Sequence, residues 1–262
     1  MCLIAIAYQV HPRFTLILAA NRDEFLDRPT EPAHFWKDAP NVLAGRDERA
    51  GGTWLGITRT GRIAAITNYR DMRRSFPPGP SRGLLVREAL EQGIDTSATQ
   101  AYAGFNLIHG TFTDLRYHNN IEGTDAPLTR GIHGLSNHFL DTPWPKVEKA
   151  KRELRKLLEA SGRTSVNARA SSVRDTSDAR TNAEFARSLF SLLADDAVAP
   201  DDLLPDTGLP LEAERAASSI FIRTPGYGTR CSTVVLVDTN GNVYFEERSV
   251  PEGRVVEEFW VQ

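Results

Sequence analysis

The sequence predicts an α+β fold in which two stacked β-sheets are covered by helices, an αββα sandwich of four layers. Three observations carry this. The elements come as strands, helix, strands, helices, strands, and segregated strands and helices argue against alternating βαβ units. The runs Leu3–Tyr8, Phe14–Ala20 and Thr233–Val237 are almost continuously apolar, so those strands need cover on both faces. No internal repeat is visible and no boundary separates two self-sufficient cores, which predicts one domain over residues 1–262.

In chain order, Cys2–Tyr8 and Phe14–Ala20 flank a His11-Pro12 turn and predict a hairpin, with Asn21-Arg22-Asp23-Glu24 just past its second strand. The Pro-rich, charged stretch 25–41 predicts a long surface loop. Thr53–Thr58 and Ile63–Thr67, joined through Thr60-Gly61, predict a second hairpin ending at Asn68, preceded by Gly51-Gly52, which suits a turn or a close backbone approach. A helix is predicted from Ser81 as N-cap through Leu84, Leu85, Ala89 and Leu90 to Gly93. Gly104–His109 pairs with Leu115–His118, and a short strand ends at Gly134-Leu135-Ser136-Asn137.

The strongest helix signal opens at Pro143 and Pro145. Val147, Ala150, Leu154, Leu157 and Leu158 form its apolar stripe, and Lys146, Glu148, Lys149, Lys151, Arg152 and Glu153 are assigned to its solvated face. Residues 163–180 hold little to bury and predict a flexible segment. A helix over 182–193 and a polar stretch to Arg215 follow. Strands are then predicted at Ser219–Ile222, Ser232–Val237, Val243–Glu246 and Val255–Trp260, with an Asn240-Gly241 turn.

Composition limits the function classes. The 262 residues are 40% hydrophobic and 25% charged, ordinary for a globular protein. The net charge of −3 is spread along the chain, which argues against nucleic acid as a partner. No apolar run approaches the roughly 20 residues of a membrane helix, so no membrane span is expected. The N-terminus lacks the cationic start of a signal peptide. Cys2 and Cys231 read as reduced thiols in a cytoplasmic protein.

An antiparallel hairpin brings the start of one strand beside the end of the next, so Cys2 lies close to Arg22 and Asp23. If Met1 is removed, Cys2 carries a thiol together with an α-amine of pKa roughly 7.7–8.0. That amine can take the thiol proton, a nucleophile and its base in one residue, with Arg22 as a nearby cation favouring the thiolate. The other reading of Cys2 is a small buried hydrophobe in an apolar strand.

Met1-Cys2 followed by Asn21-Arg22-Asp23-Glu24 resembles the NRDE family, whose eukaryotic members are called transport and Golgi organisation protein 2. Gly51-Gly52-Thr53-Trp54-Leu55-Gly56, Thr67-Asn68-Tyr69-Arg70, Gly134-Leu135-Ser136-Asn137 and Tyr227-Gly228-Thr229-Arg230 extend the resemblance in the family's order to the end of the chain. That family is similar to N-terminal-nucleophile (Ntn) hydrolases of the choloylglycine hydrolase and penicillin V acylase type, whose four-layer αββα fold matches the layering above. The resemblance implies Cys2 as nucleophile, Asp23 holding the α-amine, Asn68 and Asn137 as oxyanion donors, and Arg230 as a late arginine of the site. It also departs from the pattern: choloylglycine-type enzymes carry an arginine where this chain has Ala20, and Arg22 lies adjacent to Asp23 instead.

Two functions are consistent with these residues. One is a cysteine Ntn amidohydrolase or acyltransferase acting on a non-peptide C–N bond of a small amide or acyl substrate. The other is a carrier on the same fold, because eukaryotic relatives are associated with haem mobilisation and acyl-lipid metabolism, which points to haem or acyl-CoA as ligand. Neither needs a bound cofactor. His133 and His138 are five residues apart and no nucleotide-binding fingerprint is present, so no metal is expected.

The mechanism requires a free α-amine on Cys2. The intact mass of protein from its native host is therefore expected to lack one methionine, and a fully retained or acetylated Met1 would exclude the Ntn mechanism.

Overall fold

The computed structural model describes residues 2–167, 176–251 and 253–261. Strand β1 (Cys2–Tyr8) turns back into β2 (Phe14–Phe25), and the hairpins β3 (Thr30–Trp36) with β4 (Ala39–Asp47) and β5 (Leu55–Thr58) with β6 (Arg62–Asn68) follow. Helix α1 (Arg82–Glu91) precedes β7 (Phe105–Thr111), β8 (Asp114–Asn119), β9 (Asp125–Pro127) and β10 (Gly131–Leu135). Two long helices, α2 (Pro145–Asn167) and α3 (Thr176–Leu193), and the short α4 (Leu211–Ala217) lead to β11 (Arg223–Thr224), β12 (Tyr227–Asp238), β13 (Asn242–Ser249) and β14 (Gly253–Trp260).

Among the described residues the strands form two seven-stranded sheets, antiparallel throughout. The first runs β10-β1-β2-β12-β13-β14, with β11 paired to β12; the second is a meander from β3 to β9 in sequence order. The period-2 alternation of the central strands sorts their side chains into two cores. Ile4, Ile6, Leu16 and Leu18 point into the space between the sheets, against Leu43, Ile57, Ile63 and Ile108. Leu3, Ala5, Ile17 and Ala19 point the other way, against Val147, Ala150 and Leu154 of α2 and Leu189 and Phe190 of α3. A third core seats Leu85, Val86, Ala89 and Leu90 of α1 on the outer face of the second sheet. The layers are therefore helices, sheet, sheet, helix, the expected α+β αββα order.

Several segments differ from what the sequence predicts. The stretch 25–41 is not a loop: most of it forms β3 and the start of β4, with Trp36 in the outer core. Its prolines mislead because β3 is an edge strand with a register irregularity between Glu31 and His34, where Pro32 costs no ladder bond. Strand β2 runs through the whole Asn21–Glu24 tetrad, so these residues sit in the sheet and not beyond its end. Ser219–Ile222 is a buried irregular segment, not a strand; Ser219 Oγ donates to the carbonyls of Ala216 and Phe221. Helices α2 and α3 reach into the predicted flexible segment 163–180 from either side, and its middle, 168–175, lies outside the described residues. No described helix is long and apolar enough to cross a membrane.

Gly51-Gly52 has a packing reason. Gly51 adopts a positive φ of 74°, and a Cβ on Gly52 would lie 2.3 Å from the Gly83 carbonyl carbon at the start of α1. Thr53 N donates to the Gly83 carbonyl across the same contact, at 3.1 Å. The Gly52→Ala substitution is therefore expected to push α1 off this loop and destabilise the protein by about 1–3 kcal/mol, read as a lowered melting temperature. An unchanged Tm would mean that the contact yields without cost.

Candidate functional site

The register of the first sheet sets a row across three strands. Cys2 of β1 is the cross-strand partner of Arg22 on β2, and Arg22 is in turn the partner of Cys231 on β12. By alternation all three face the second sheet. Cys2 is half-buried and Cys231 is buried. The Arg22 guanidinium donates to Thr30 Oγ1 at 2.9 Å and lies 4.0 Å from the ring centroid of Trp54, a cation–π contact. Gly45 leaves the space for that indole, since a Cβ there would be 2.3 Å from Trp54 Cη2. Two sheets thus clamp the arginine beside the N-terminal cysteine.

Asp23, the next residue, faces the helix layer. Its Oδ1 accepts from Thr229 Oγ1 at 2.6 Å, and Tyr227 Oη donates to its backbone carbonyl at 2.9 Å. Burial raises the Asp23 carboxyl pKa, opposed first by the N-terminal ammonium and then by the charge of Lys146 and the Thr229 hydrogen bond. Lys146 belongs to the first turn of α2. It is 2% exposed, and its Nζ has no hydrogen-bond partner among the described residues. Burial lowers its pKa to about 8, against the opposing charge of Asp23. A buried ion pair lies next to it, Arg70 Nη2 to Glu214 Oε2 at 3.0 Å, with Arg70 stacked on Trp144.

The two asparagines meet where the sheets approach each other. Asn68 ends β6 and Asn137 follows β10. Asn137 Nδ2 donates to the Asn68 carbonyl at 2.9 Å, which uses one of its two N–H groups, and Arg70 N donates to the Asn137 carbonyl at 2.7 Å. Ser136 Oγ donates to the Cys2 carbonyl at 3.0 Å, with Asn137 Oδ1 at 3.3 Å as its second acceptor. The chain Cys2–Ser136–Asn137–Asn68 is therefore continuous. A cavity of about 120 Å³ is lined by Tyr69, Arg70, His138, Trp144 and Thr207 among others; it takes in chain neighbours of Asn68 and Asn137 but not these two or Cys2.

The structure brings Cys2, Arg22, Asp23, Asn68 and Asn137 together, and Arg230 lies on β12 between Thr229 and Cys231. The Arg230 guanidinium donates to the carbonyls of Phe25, Leu26 and Arg28 at 2.9–3.0 Å, closing the turn that follows β2. Two residues of the site escaped the sequence reading. Lys146 belongs to the buried side of α2 and not to its solvated face; it sits one turn before Ala150, in line with the apolar stripe, and that spacing was the available signal. Arg82, at the start of α1, donates to the Gly104 carbonyl at 3.0 Å and lies within electrostatic reach of Cys2. Its neighbourhood to Cys2 comes from the tertiary packing of α1 and has no local signature. Among the described residues, no group of three or more His, Cys, Asp and Glu is placed to hold a metal ion.

Comparison with known proteins places this geometry in context. A family model described as Transport and Golgi organisation 2 matches residues 1–252. The Transport and Golgi organization protein 2 homolog of Homo sapiens is 34% identical over 276 residues, covering 95% of this chain and 93% of the relative. The Transport and Golgi organization protein 2 of Drosophila melanogaster is 26% identical over 283 residues, covering 95% of this chain and 92% of the relative. The solved structure of the Caenorhabditis elegans N-acylethanolamine-hydrolyzing acid amidase ortholog aligns with 90% of this chain and 92% of that chain, at 12% identity and a TM-score of 0.46.

The two thiols differ in access and surroundings. Burial pushes the Cys231 thiol well above the ordinary range, with the nearby Glu247 adding to it, whereas Cys2 is half-buried next to Arg22. Limiting iodoacetamide followed by peptide mapping is expected to place most adduct on Cys2. Preferential labelling of Cys231 would contradict this assignment.

Proposed function

Because the chain belongs to the Transport and Golgi organisation 2 family, we propose that it works as an N-terminal-nucleophile amidohydrolase or acyltransferase on a non-peptide C–N bond, with Cys2 as nucleophile once Met1 has been removed. The observation that carries this reading is the placement of a half-buried Cys2 beside Arg22, with Ser136 linking its carbonyl to Asn137 and Asn137 in turn bound to the Asn68 carbonyl.

The steps follow from these positions. The α-amine of Cys2 takes the thiol proton as the sulfur attacks the substrate carbonyl, and Arg22 supplies the cation beside the sulfur. The carbonyl oxygen gains the charge and is met by the Asn68 side chain and the remaining N–H of Asn137. The α-ammonium returns its proton to the leaving nitrogen as the C–N bond breaks, leaving a thioester on Cys2. Water, or an acceptor amine or alcohol, then attacks the thioester and frees Cys2. Asp23, held by Thr229, orients the α-amine.

The test compares wild type, Cys2→Ala and Asn68→Ala against N-acyl amino acids, acyl-CoA thioesters and haem, recording acid release and binding together. Cys2→Ala is expected to abolish acid release with the fold intact, and Asn68→Ala to lower kcat about 10²–10³-fold with a smaller change in affinity. Equal, tight binding of haem or acyl-CoA by wild type and Cys2→Ala, with no acid released from any compound, would replace this reading with that of a carrier.

A further inference from the structure

Lys146 is out of keeping with its position. It occupies a stripe of α2 that otherwise carries Ala150 and Leu154 into the core. Instead an ammonium is buried there, with no acceptor for its Nζ among the described residues. A buried, unpartnered cation is costly, so such a group persists where its charge has a use.

The groups facing it come from three other elements and a loop. Asp23 from β2, Cys2 from β1, Glu214 from α4 and Arg70 from beyond β6 all act on it electrostatically. Arg70 and Glu214 pair with each other at 3.0 Å and largely cancel. Tyr227 from β12 is held neutral by burial and donates to the Asp23 backbone. On the far side of Cys2 stand Arg22 and Arg82, and the Cys231 thiol is kept protonated by burial. What remains on the helix side is one carboxylate, Asp23, and one ammonium, Lys146.

We propose that Lys146 is a positioning residue of this site: its charge balances Asp23, so that the carboxylate orients the α-amine of Cys2 without holding a proton on it. This rests on the reading of Cys2 as an N-terminal nucleophile. With Asp23 uncompensated, the α-ammonium would be its main counter-charge and the amine would stay protonated, unable to act as base. With Lys146 present, the same carboxylate accepts a hydrogen bond from a neutral amine. Burial lowers the Lys146 pKa to about 8, so the balance holds at neutral pH and weakens above that value.

The test uses the full chain as wild type, Lys146→Met and Lys146→Arg. Intact mass first establishes that Met1 is absent. Cys2 is then capped with iodoacetamide, and acetylation of the α-amine by limiting acetic anhydride is followed by peptide mapping across the neutral and alkaline range. Removing a nearby cation favours the ammonium, so the amine midpoint is expected to rise by about one pH unit in Lys146→Met, roughly a tenfold loss of amine reactivity below the midpoint. Lys146→Arg, which keeps the charge, should titrate as wild type does. An unchanged midpoint in Lys146→Met would overturn the proposal, as would an equal shift in both variants, which would mark a packing role. If Lys146→Met does not fold, Lys146→Gln carries the same comparison. Retention of Met1 in wild type is read from the mass alone; it overturns the Ntn reading itself, and this proposal with it, before any titration is made.

Discussion

The antiparallel ladder between β1 and β2 is the constraint on which everything else depends. With the pairing fixed from Tyr8 opposite Leu16 to Cys2 opposite Arg22, every side chain on both strands is assigned to one core or the other. A slip by one residue would exchange the cores and turn Arg22 into the helix layer. The apolar residues prevent this. Isoleucines and leucines fill the space between the sheets, whereas the alanines on the opposite face leave room for the close approach of α2 and α3. The position of the cysteine relative to its charged neighbours is therefore set by hydrophobic packing several residues away.

The same strand separates two electrostatic environments. Arg22 and Asp23 are adjacent in sequence, yet one is clamped between the sheets by Trp54 and the other is sunk under the helices with Thr229 and Lys146. Opposite charges on consecutive strand residues cannot pair with each other across the pleat, so each must find its counterpart in another layer. This sends the site outward into both sheets and into α2, and explains why its residues come from nearly the whole length of the chain.

How much of this is legible in the sequence depends on whether a signal is local. The first hairpin, the helix after Ser81 and the apolar stripe of α2 follow from periodicity, and the layer order follows from strands with no polar face. The family motifs contain Cys2, Asn68 and Asn137, which hydrogen bonds link through Ser136, and Asp23, which Thr229 holds. The motif holding Arg230 gives its strand position, between Thr229 and Cys231, but not its bonds to three carbonyls of the turn after β2. The β3–β4 hairpin is hidden because edge strands tolerate proline and charge. Lys146 is hidden because composition outvotes spacing in a helix with so many charged residues. The proximity of Arg82 to Cys2 is invisible along the chain, since it depends on how α1 packs on the second sheet and on the loop at Gly52.

The order of strands in the first sheet also has a temporal meaning. β2 pairs on one side with β1, its immediate neighbour in sequence, and on the other with β12, so that Phe25 lies opposite Tyr227. Thr229, which holds Asp23, arrives on that late strand. A ribosome delivers the cysteine first and its last supporting residue some two hundred positions later. Contacts of such long sequence separation form slowly, after the local hairpins. During synthesis Cys2 thus meets Arg22 early, in the first hairpin, and the rest of its setting is completed only when the late strand β12 pairs with β2.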